Sequence, residues 1–515
     1  MRPEVVVVGA GPVGLVLAAE LRAWSIDVLV LERMTSPDAR LRAPAITERT
    51  IEALERHDLL DRLVGEAQRY RAAHGATSTT LHADLRMDGV RALPVRQDLV
   101  QHVLEEHVRA LGGDVWRGCE LVGLTPLRDG VELRVRGPKA DEDVLRASFV
   151  VGCDGGPSTV RSAAGIGFPG SQATLTGYQA EVEIAAPGVL RRGWQRTPTG
   201  IAAYELCPSR IVSIEFTGPP VDRSAPVTLE EVQASLRRTS ATNVTLTRAR
   251  TLTRFTDNAR LAEFYRRGRV LLAGDAAHVH APFGGQGLNL GVQDAVNLGW
   301  KLVATLRGWA PAGLLDSYER ERRPVAEQVL RNVRAAIMLM DPDTRMTPIH
   351  ELFGELRRLD AVRRHMHEKT AMIDVRYPVG ASGGDHPLLG RAPRGLLVST
   401  GNGSVELSRV ARAGRGLLLV LSDAGRQAAY VAKSWRDRVD VVSASVAPAP
   451  DGVRDPTEAG ALGALLLRPD GHIVWVGGND GRDSPSTLHD TLERVFGRPA
   501  PPAERRDEQL QIGRS

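Results

Sequence analysis

Four consecutive valines, Val5-Val6-Val7-Val8, run directly into Gly9-Ala10-Gly11-Pro12-Val13-Gly14, and no other feature narrows the fold as much. A short, all-apolar, β-branched run is the pattern of a strand covered on both faces in a parallel sheet. The first glycine of the turn permits a tight bend, the second lets a pyrophosphate reach the backbone, and the third lets a helix pack on the strand. Pro12 suits the first helical turn, where its missing N–H costs nothing. The helix is expected to about Trp24 and a second strand over 27–31, with Glu32 at its end. That acid lies 18 residues past Gly14, close to the spacing at which a carboxylate accepts hydrogen bonds from an adenosine ribose. A lone GxGxxG is a weak signal. Strand, turn, helix, strand and acid in this order imply a dinucleotide site. They do not say which dinucleotide, because Arg33 beside Glu32 could meet the 2′-phosphate of NADP, as in a nicotinamide dehydrogenase.

The theme recurs twice. Phe149-Val150-Val151-Gly152-Cys153-Asp154-Gly155-Gly156-Pro157-Ser158-Thr159-Val160-Arg161 reads as strand, acid, glycine turn and helix start. Here Asp154 accepts hydrogen bonds, Ser158 caps the helix and Arg161 supplies a cation; the plain reading is a capped turn. Further on, the strand Arg269-Val270-Leu271-Leu272-Ala273 leads into Gly274-Asp275, and a loop with Gly284, Gly285 and Gly287 opens a helix. Apolar positions Leu290, Ala295, Val296, Leu298, Leu302 and Leu306 mix steps of three and four, so one helix face is buried. Glycines ahead of a helix let backbone approach a ligand and aim free N–H groups at negative charge. The ligand expected here is anionic, or becomes so.

With 515 residues the chain implies two or three domains. Its net charge is +4 and its basic residues are nearly all arginine without dense runs, which argues against nucleic-acid and membrane surfaces. No apolar run approaches the roughly 20 residues of a membrane span. The three cysteines, Cys119, Cys153 and Cys207, are unclustered, so neither a disulfide framework nor a metal site is expected and a cytoplasmic location fits. Alternating stretches such as Ala180-Glu181-Val182-Glu183-Ile184 and Ile211-Val212-Ser213-Ile214-Glu215-Phe216 predict a sheet with one face solvated or lining a cavity. Because dinucleotide-type turns resume after them, this sheet is an insertion. The charged run 316–324 reads as a solvated helix face with i, i+4 pairs. The Asp470-Gly471 pair marks a hairpin.

Taken together, Gly9, Gly11 and Gly14 with Glu32, Asp154-Gly155 with Arg161, and Gly274-Asp275 followed by Pro282 and 284–289 resemble the single-component flavoprotein aromatic hydroxylases, in their aromatic-polyketide and phenol hydroxylase branch. The resemblance implies an α/β fold: a Rossmann-like FAD-binding domain, an inserted β-sheet substrate domain and a C-terminal thioredoxin-like domain. The cofactor domain would comprise 1–74, 95–172 and 266–386, the substrate sheet 75–94 and 173–265, the thioredoxin-like domain 387–497, and 498–515 a disordered tail. No Cys-x-x-Cys occurs beyond 387, so that domain should lack dithiol chemistry.

The family uses FAD as resident cofactor, NADPH or NADH as transient co-substrate, and dioxygen. It implies that Gly9, Gly11, Pro12, Val13, Gly14, Glu32 and Arg33 hold the adenosine side. Arg42, Gln97, Asp154, Arg161, Asp275, Pro282, Gly285, Gly287, Leu288 and Asn289 would hold the flavin side. Arg42, Pro282 and Gly285 would stand nearest the chemistry, in which a flavin C4a-hydroperoxide hydroxylates an electron-rich ring. The helix expected to start near Asn289 would stabilise the reduced flavin anion. Trp194, Tyr204 and Phe283 are the substrate candidates, and the low aromatic content, 4%, favours a bulky polycyclic substrate over a small phenol. His278 and His280 are read as structural hydrogen-bonders rather than bases. The runner-up readings are Baeyer–Villiger insertion, oxidative inactivation of an aromatic antibiotic, and a flavin-bearing protein that sequesters its ligand. The chain is expected to act as a monomer or homodimer.

Overall fold

Strand Val5–Val8 lies between strands Val28–Glu32 and Phe149–Gly152, both parallel to it, and the sheet continues outward to Asp114–Arg117 on one side and Val270–Leu272 on the other. Only Arg266–Arg267, at the edge, is antiparallel. Val5, Val6 and Val7 are fully buried, so each contributes about 2 kcal/mol of apolar burial. The computed structural model describes residues 2–38, 40, 42–73, 86–87, 90–204, 209–223, 225–379, 386–400, 403–447, 462–478 and 485–499. Cys207 and the tail from 500 lie outside them.

Helices Pro12–Arg22 and Gln286–Leu306 pack against each other on this sheet. Their approach is set by small residues: a Cβ on Gly291 would lie 2.6 Å from Val13 Cγ2, and one on Gly299 would lie 2.7 Å from Glu20 Cβ. A three-stranded antiparallel sheet, Glu120–Pro126, Val131–Arg136 and Glu142–Ala147, covers one end of the domain.

The insertion is a five-stranded antiparallel sheet ordered Gly193–Thr197, Gly200–Tyr204, Arg210–Glu215, Thr176–Ile184, Leu246–Thr256. One face carries helix Leu229–Ser240 on Tyr178, Ala180, Ala202, Tyr204 and Ile211; the other sends Ile201, Ala203, Val212 and Ile214 into the cofactor-domain core. Where residues 75–94, expected to supply strands to the substrate domain, are described, they form a separate small sheet: Val90–Leu93 pairs with Ile46–Thr47 and Arg86–Met87.

The C-terminal domain is thioredoxin-like. Its mixed sheet runs Val439–Ser443, Gly416–Val420, Leu462–Leu467, Ile473–Gly478, with helices Arg426–Ala432 and Pro485–Phe496. The last two strands form the expected hairpin, and Gly471 takes the left-handed backbone at φ 81°. Trp300, from the long helix of the cofactor domain, is buried in this domain's core beside Trp435 and Phe496. Among the described residues no helix is long and apolar enough to cross a membrane.

Candidate active site

At the first turn, Gly9 (φ 110°) leaves no room for a side chain, since a Cβ would lie 2.3 Å from Cys153 O. Gly14 is tighter still, 2.0 Å from Gly9 O. Gly11 differs: nothing lies within 4 Å of the Cβ it lacks. This is the arrangement by which a phosphate comes against bare backbone at a helix N-terminus. Pro12 is buried at the helix start, while Val13 fills the notch formed by Gly274 and Gly291. Glu32 accepts hydrogen bonds from Ala10 N (2.8 Å) and Met34 N (2.9 Å), which orients its carboxylate beside the turn. Arg33 is exposed, as a solvated cation would be.

The second turn is closed. Asp154 accepts from Ser158 Oγ (2.5 Å) and Val160 N (3.1 Å), and Ser158 in turn accepts from Arg161 N. Burial pushes the Asp154 carboxyl above its ordinary range, against these hydrogen bonds. Arg161 donates to Gly156 O (2.8 Å) and Ala276 O (2.9 Å), and its guanidinium lies 3.7 Å from the Phe168 ring centre. Both side chains, placed by family resemblance toward cofactor, are thus committed to the scaffold; Arg161 acts by tying the second motif to the third.

In that third motif Gly274 adopts φ 63°, and its N–H donates to buried Asp294 (3.1 Å). Asp275 is exposed, and no hydrogen-bonding group among the described residues reaches its carboxylate. The long helix begins at Gln286, three residues before the expected start, because Gly284 and Gly285 both take left-handed backbone and end the preceding turn, which Pro282 opens. The N–H groups of Gln286, Gly287 and Leu288 therefore lie in the first helical turn, without intrahelical acceptors. Asn289 is spent on the protein: its Oδ1 accepts from Thr47 N (2.9 Å) and its Nδ2 donates to Gly285 O (3.0 Å). These bonds bring the loop after Arg42 to the glycines, where Pro44 borders Gly285. Arg42 itself is exposed and pairs with Asp38 at 3.2 Å. Gln97 is half-buried at the start of helix Gln97–Ala110, with its side chain unengaged among the described residues.

His278 Nε2 lies 2.6 Å from Asp294, fully buried, in the structural role expected of it. His280 donates from Nδ1 to Ala281 O (2.7 Å), leaving Nε2 buried without a partner, and burial lowers its pKa. Gln286 Oε1 is also buried and unpartnered. Orphan polar atoms are rare in native interiors. Here two of them, the Asp275 carboxylate, the open Gly11 and a bare helix N-terminus all belong to the segments that follow strands Val5–Val8 and Val270–Leu272 in the parallel sheet, and they fit a flavin dinucleotide.

Of the substrate candidates, two meet. Trp194 and Phe283 have ring centres 6.4 Å apart, and Phe255 stands edge-on to Phe283 at 6.5 Å. Phe255 has room because Gly177, opposite it in the sheet, has no side chain: a Cβ there would lie 2.1 Å from the ring. No local signal marked Phe255, because Gly177 comes opposite it only through strand pairing between distant parts of the chain. Tyr204 points the other way, into the layer under helix Leu229–Ser240 and away from these rings. A groove of about 1020 Å³ lies at the amino ends of strands Phe149–Gly152 and Val270–Leu272, but its Arg266 and Arg267 are occupied by Asp316 and the carbonyls of Ala164 and Gly165.

Residues 2–333 match the family described as FAD binding domain, and residues 386–499 match Aromatic-ring hydroxylase, C-terminal. The chain is 41% identical to the 12-dehydrotetracycline 5-monooxygenase/anhydrotetracycline 6-monooxygenase of Streptomyces rimosus, over 97% of this chain and 100% of the relative. It is also 41% identical to a rifampicin monooxygenase of Streptomyces venezuelae, over 92% of this chain and 95% of the relative. The solved structure of an anhydrotetracycline hydroxylase from Streptomyces rimosus superposes with a TM-score of 0.82 at 38% identity, covering 97% of this chain and 100% of that one. The chain belongs to the FAD-dependent aromatic-ring hydroxylases, monooxygenases that act on small aromatic molecules.

Proposed function

We propose that this enzyme hydroxylates a polycyclic aromatic of polyketide type, taking hydride from NADPH or NADH and oxygen from dioxygen. The observation that carries the reading is the cluster of Trp194, Phe255 and Phe283, which joins the inserted sheet to the glycine loop. A flat multi-ring ligand seated against that cluster would lie beside the loop that holds the flavin. The kinship with anhydrotetracycline monooxygenases supports a linear tetracyclic substrate.

Bound FAD, once reduced, supplies oxygen activation and transfer. The residues around it then divide the remaining work. Gly11 gives the pyrophosphate its close approach, and Glu32 takes the ribose hydroxyls. Asp275 and Gln97 supply free polar groups to the ribityl and flavin region. The first-turn N–H groups of Gln286, Gly287 and Leu288 would face the flavin ring and stabilise negative charge there. Pro282, Phe283 and Gly285 form the wall that keeps water out. The nicotinamide co-substrate and the unclustered cysteines support a cytoplasmic enzyme.

The purified protein should be yellow, with NADPH oxidation and oxygen uptake stimulated by anhydrotetracycline-type ligands and a product heavier by one oxygen. A colourless protein, or ligand binding without turnover, would reject the reading in favour of a dehydrogenase or a sequestering protein. Asp275→Ala should lower FAD retention by about tenfold, the loss of one or two charge-assisted hydrogen bonds. Normal occupancy with full activity would remove Asp275 from the site. The rifampicin monooxygenase relative favours a second reading, oxidative inactivation of an aromatic antibiotic. Expression that raises rifampicin tolerance would select it, and the product's structure would separate ring hydroxylation from Baeyer–Villiger insertion.

A further inference from the structure

Behind the glycine loop runs a buried chain of polar contacts that oxygen transfer does not call upon. It starts in the C-terminal hairpin, where Arg468 donates to both oxygens of Glu321, each at 2.8 Å, and also binds Asp470. Asn297 donates to Glu321 (2.7 Å) and Asp470 (3.0 Å), while Lys301 donates to Asn297 and Glu321, both at 2.8 Å. Two cations and two carboxylates cancel in this set. His472 adds no charge at neutral pH, since burial draws its pKa down to about 4. The Tyr377 ring lies 5.1 Å from the Arg468 guanidinium and 4.1 Å from the His472 ring.

From Tyr377 the contacts turn toward the loop. Arg322 donates to Tyr377 Oη (2.8 Å), to Asp294 Oδ1 (2.8 Å) and to Leu290 O (3.1 Å). The second oxygen of Asp294 accepts from Gly274 N and His278 Nε2. Burial opposes ionisation of Asp294, but His278 and Arg322 outweigh it and hold its carboxyl below the ordinary value. Three ends of the chain are therefore groups of the flavin-binding segments: Gly274 N, His278 and Leu290 O.

Buried ion sets add little net stability, because desolvation offsets their attraction; their best-attested use is to impose one geometry. That use is needed here. Gly274 takes a left-handed backbone that glycine does not prefer over others, and the Asp275 carboxylate that follows has no hydrogen-bond partner among the described residues to place it. Asp294 fixes the peptide entering Gly274, Ala277 N–H fixes the one leaving it by donating to Gly274 O (2.8 Å), and together they aim the side chain.

We propose that the C-terminal domain sets the position of the Gly274–Ala276 turn, with Tyr377 and Arg468 as positioning residues that act through Arg322 and Asp294. The inference rests on reading that turn as part of the FAD site. Its test uses the full chain and two variants. Tyr377→Phe removes one hydroxyl from the route, whereas Val476→Ala loosens the C-terminal core away from it. Hydrogen exchange of the FAD-free protein should show faster exchange at amides 274–278 in Tyr377→Phe than in wild type, and no change there in Val476→Ala. Titration with FAD should give binding weaker by roughly fivefold in Tyr377→Phe only, the loss of one buried hydrogen bond. Unchanged exchange at 274–278 in Tyr377→Phe, or equal acceleration in both variants, would overturn the proposal. If FAD fails to bind even to wild type, the reading of the site falls, while the exchange result still decides whether the strut exists.

Discussion

The turn after strand Val5–Val8 and the turn after strand Phe149–Gly152 sit side by side on one sheet, yet the first leaves its backbone open and the second closes on itself. At the first, Gly11 faces empty space and Glu32 orients its carboxylate with two backbone donors. At the second, Asp154, Ser158 and Arg161 satisfy one another and the carbonyls of Gly156 and Ala276. A glycine turn with an acid is therefore two devices. Where polar side chains are absent from the turn itself, backbone N–H groups remain available to a ligand; where an aspartate and a serine follow, they consume those donors and the turn becomes a brace.

The comparison breaks most sharply at the glycines. Gly14→Ala would drive a Cβ to 2.0 Å from Gly9 O, a backbone atom that cannot rotate away. The expected cost is about 3 kcal/mol or more, so soluble expression and thermal melting should both collapse. Gly11→Ala, with nothing within 4 Å, should fold with an unchanged melting temperature and lose FAD instead, because the new methyl occupies ligand space. Measuring flavin content and melting for both variants separates scaffold from site, and a Gly11→Ala protein with full flavin content would show that no phosphate lies there.

Next comes Arg161→Met. Losing two bonds to carbonyls at 2.8 and 2.9 Å leaves buried acceptors unpaired, a loss of about 2–3 kcal/mol. Melting should fall by several degrees. FAD affinity, measured on the folded fraction, should fall less than in Gly11→Ala. A variant that melts normally but loses FAD would reverse the assignment and make Arg161 a direct ligand.

Much of this contrast was legible because turns are coded locally. β-branched runs, glycine spacing, Pro12 and the Ser158 cap dictate their own conformation, and the helices and hairpin strands fall close to where periodicity puts them. What failed was decided by partners distant in sequence. The run 316–324 looked solvated, but Glu321 and Arg322 are buried, and Asn297 meets Asp470 from 173 positions away. Asp294, Asn297 and Lys301 interrupt the apolar pattern of the long helix at spacings of three and four. That stripe was a visible sign of a second buried face, yet nothing local says what covers it. Alternation likewise puts Tyr204 and its neighbours on opposite faces of a strand, but only the packed helix decides which face is wet.

The smallest test addresses the closed turn by its pH dependence. Burial raises the Asp154 pKa in the folded protein, so folding favours its protonated form. A carboxyl of this kind contributes stability that is fully present below its unfolded value, near 3.8, and is lost as pH rises through the raised folded value. Asp154→Asn does not titrate. It sacrifices part of one hydrogen bond at every pH, a constant offset. The difference in melting temperature between wild type and variant should therefore shift in favour of the variant as pH rises above the unfolded value near 3.8. If Asp154 instead met a cation or ligand that favoured its charged form, the difference would shift the other way, and the second turn would have to be counted, like the first, as open.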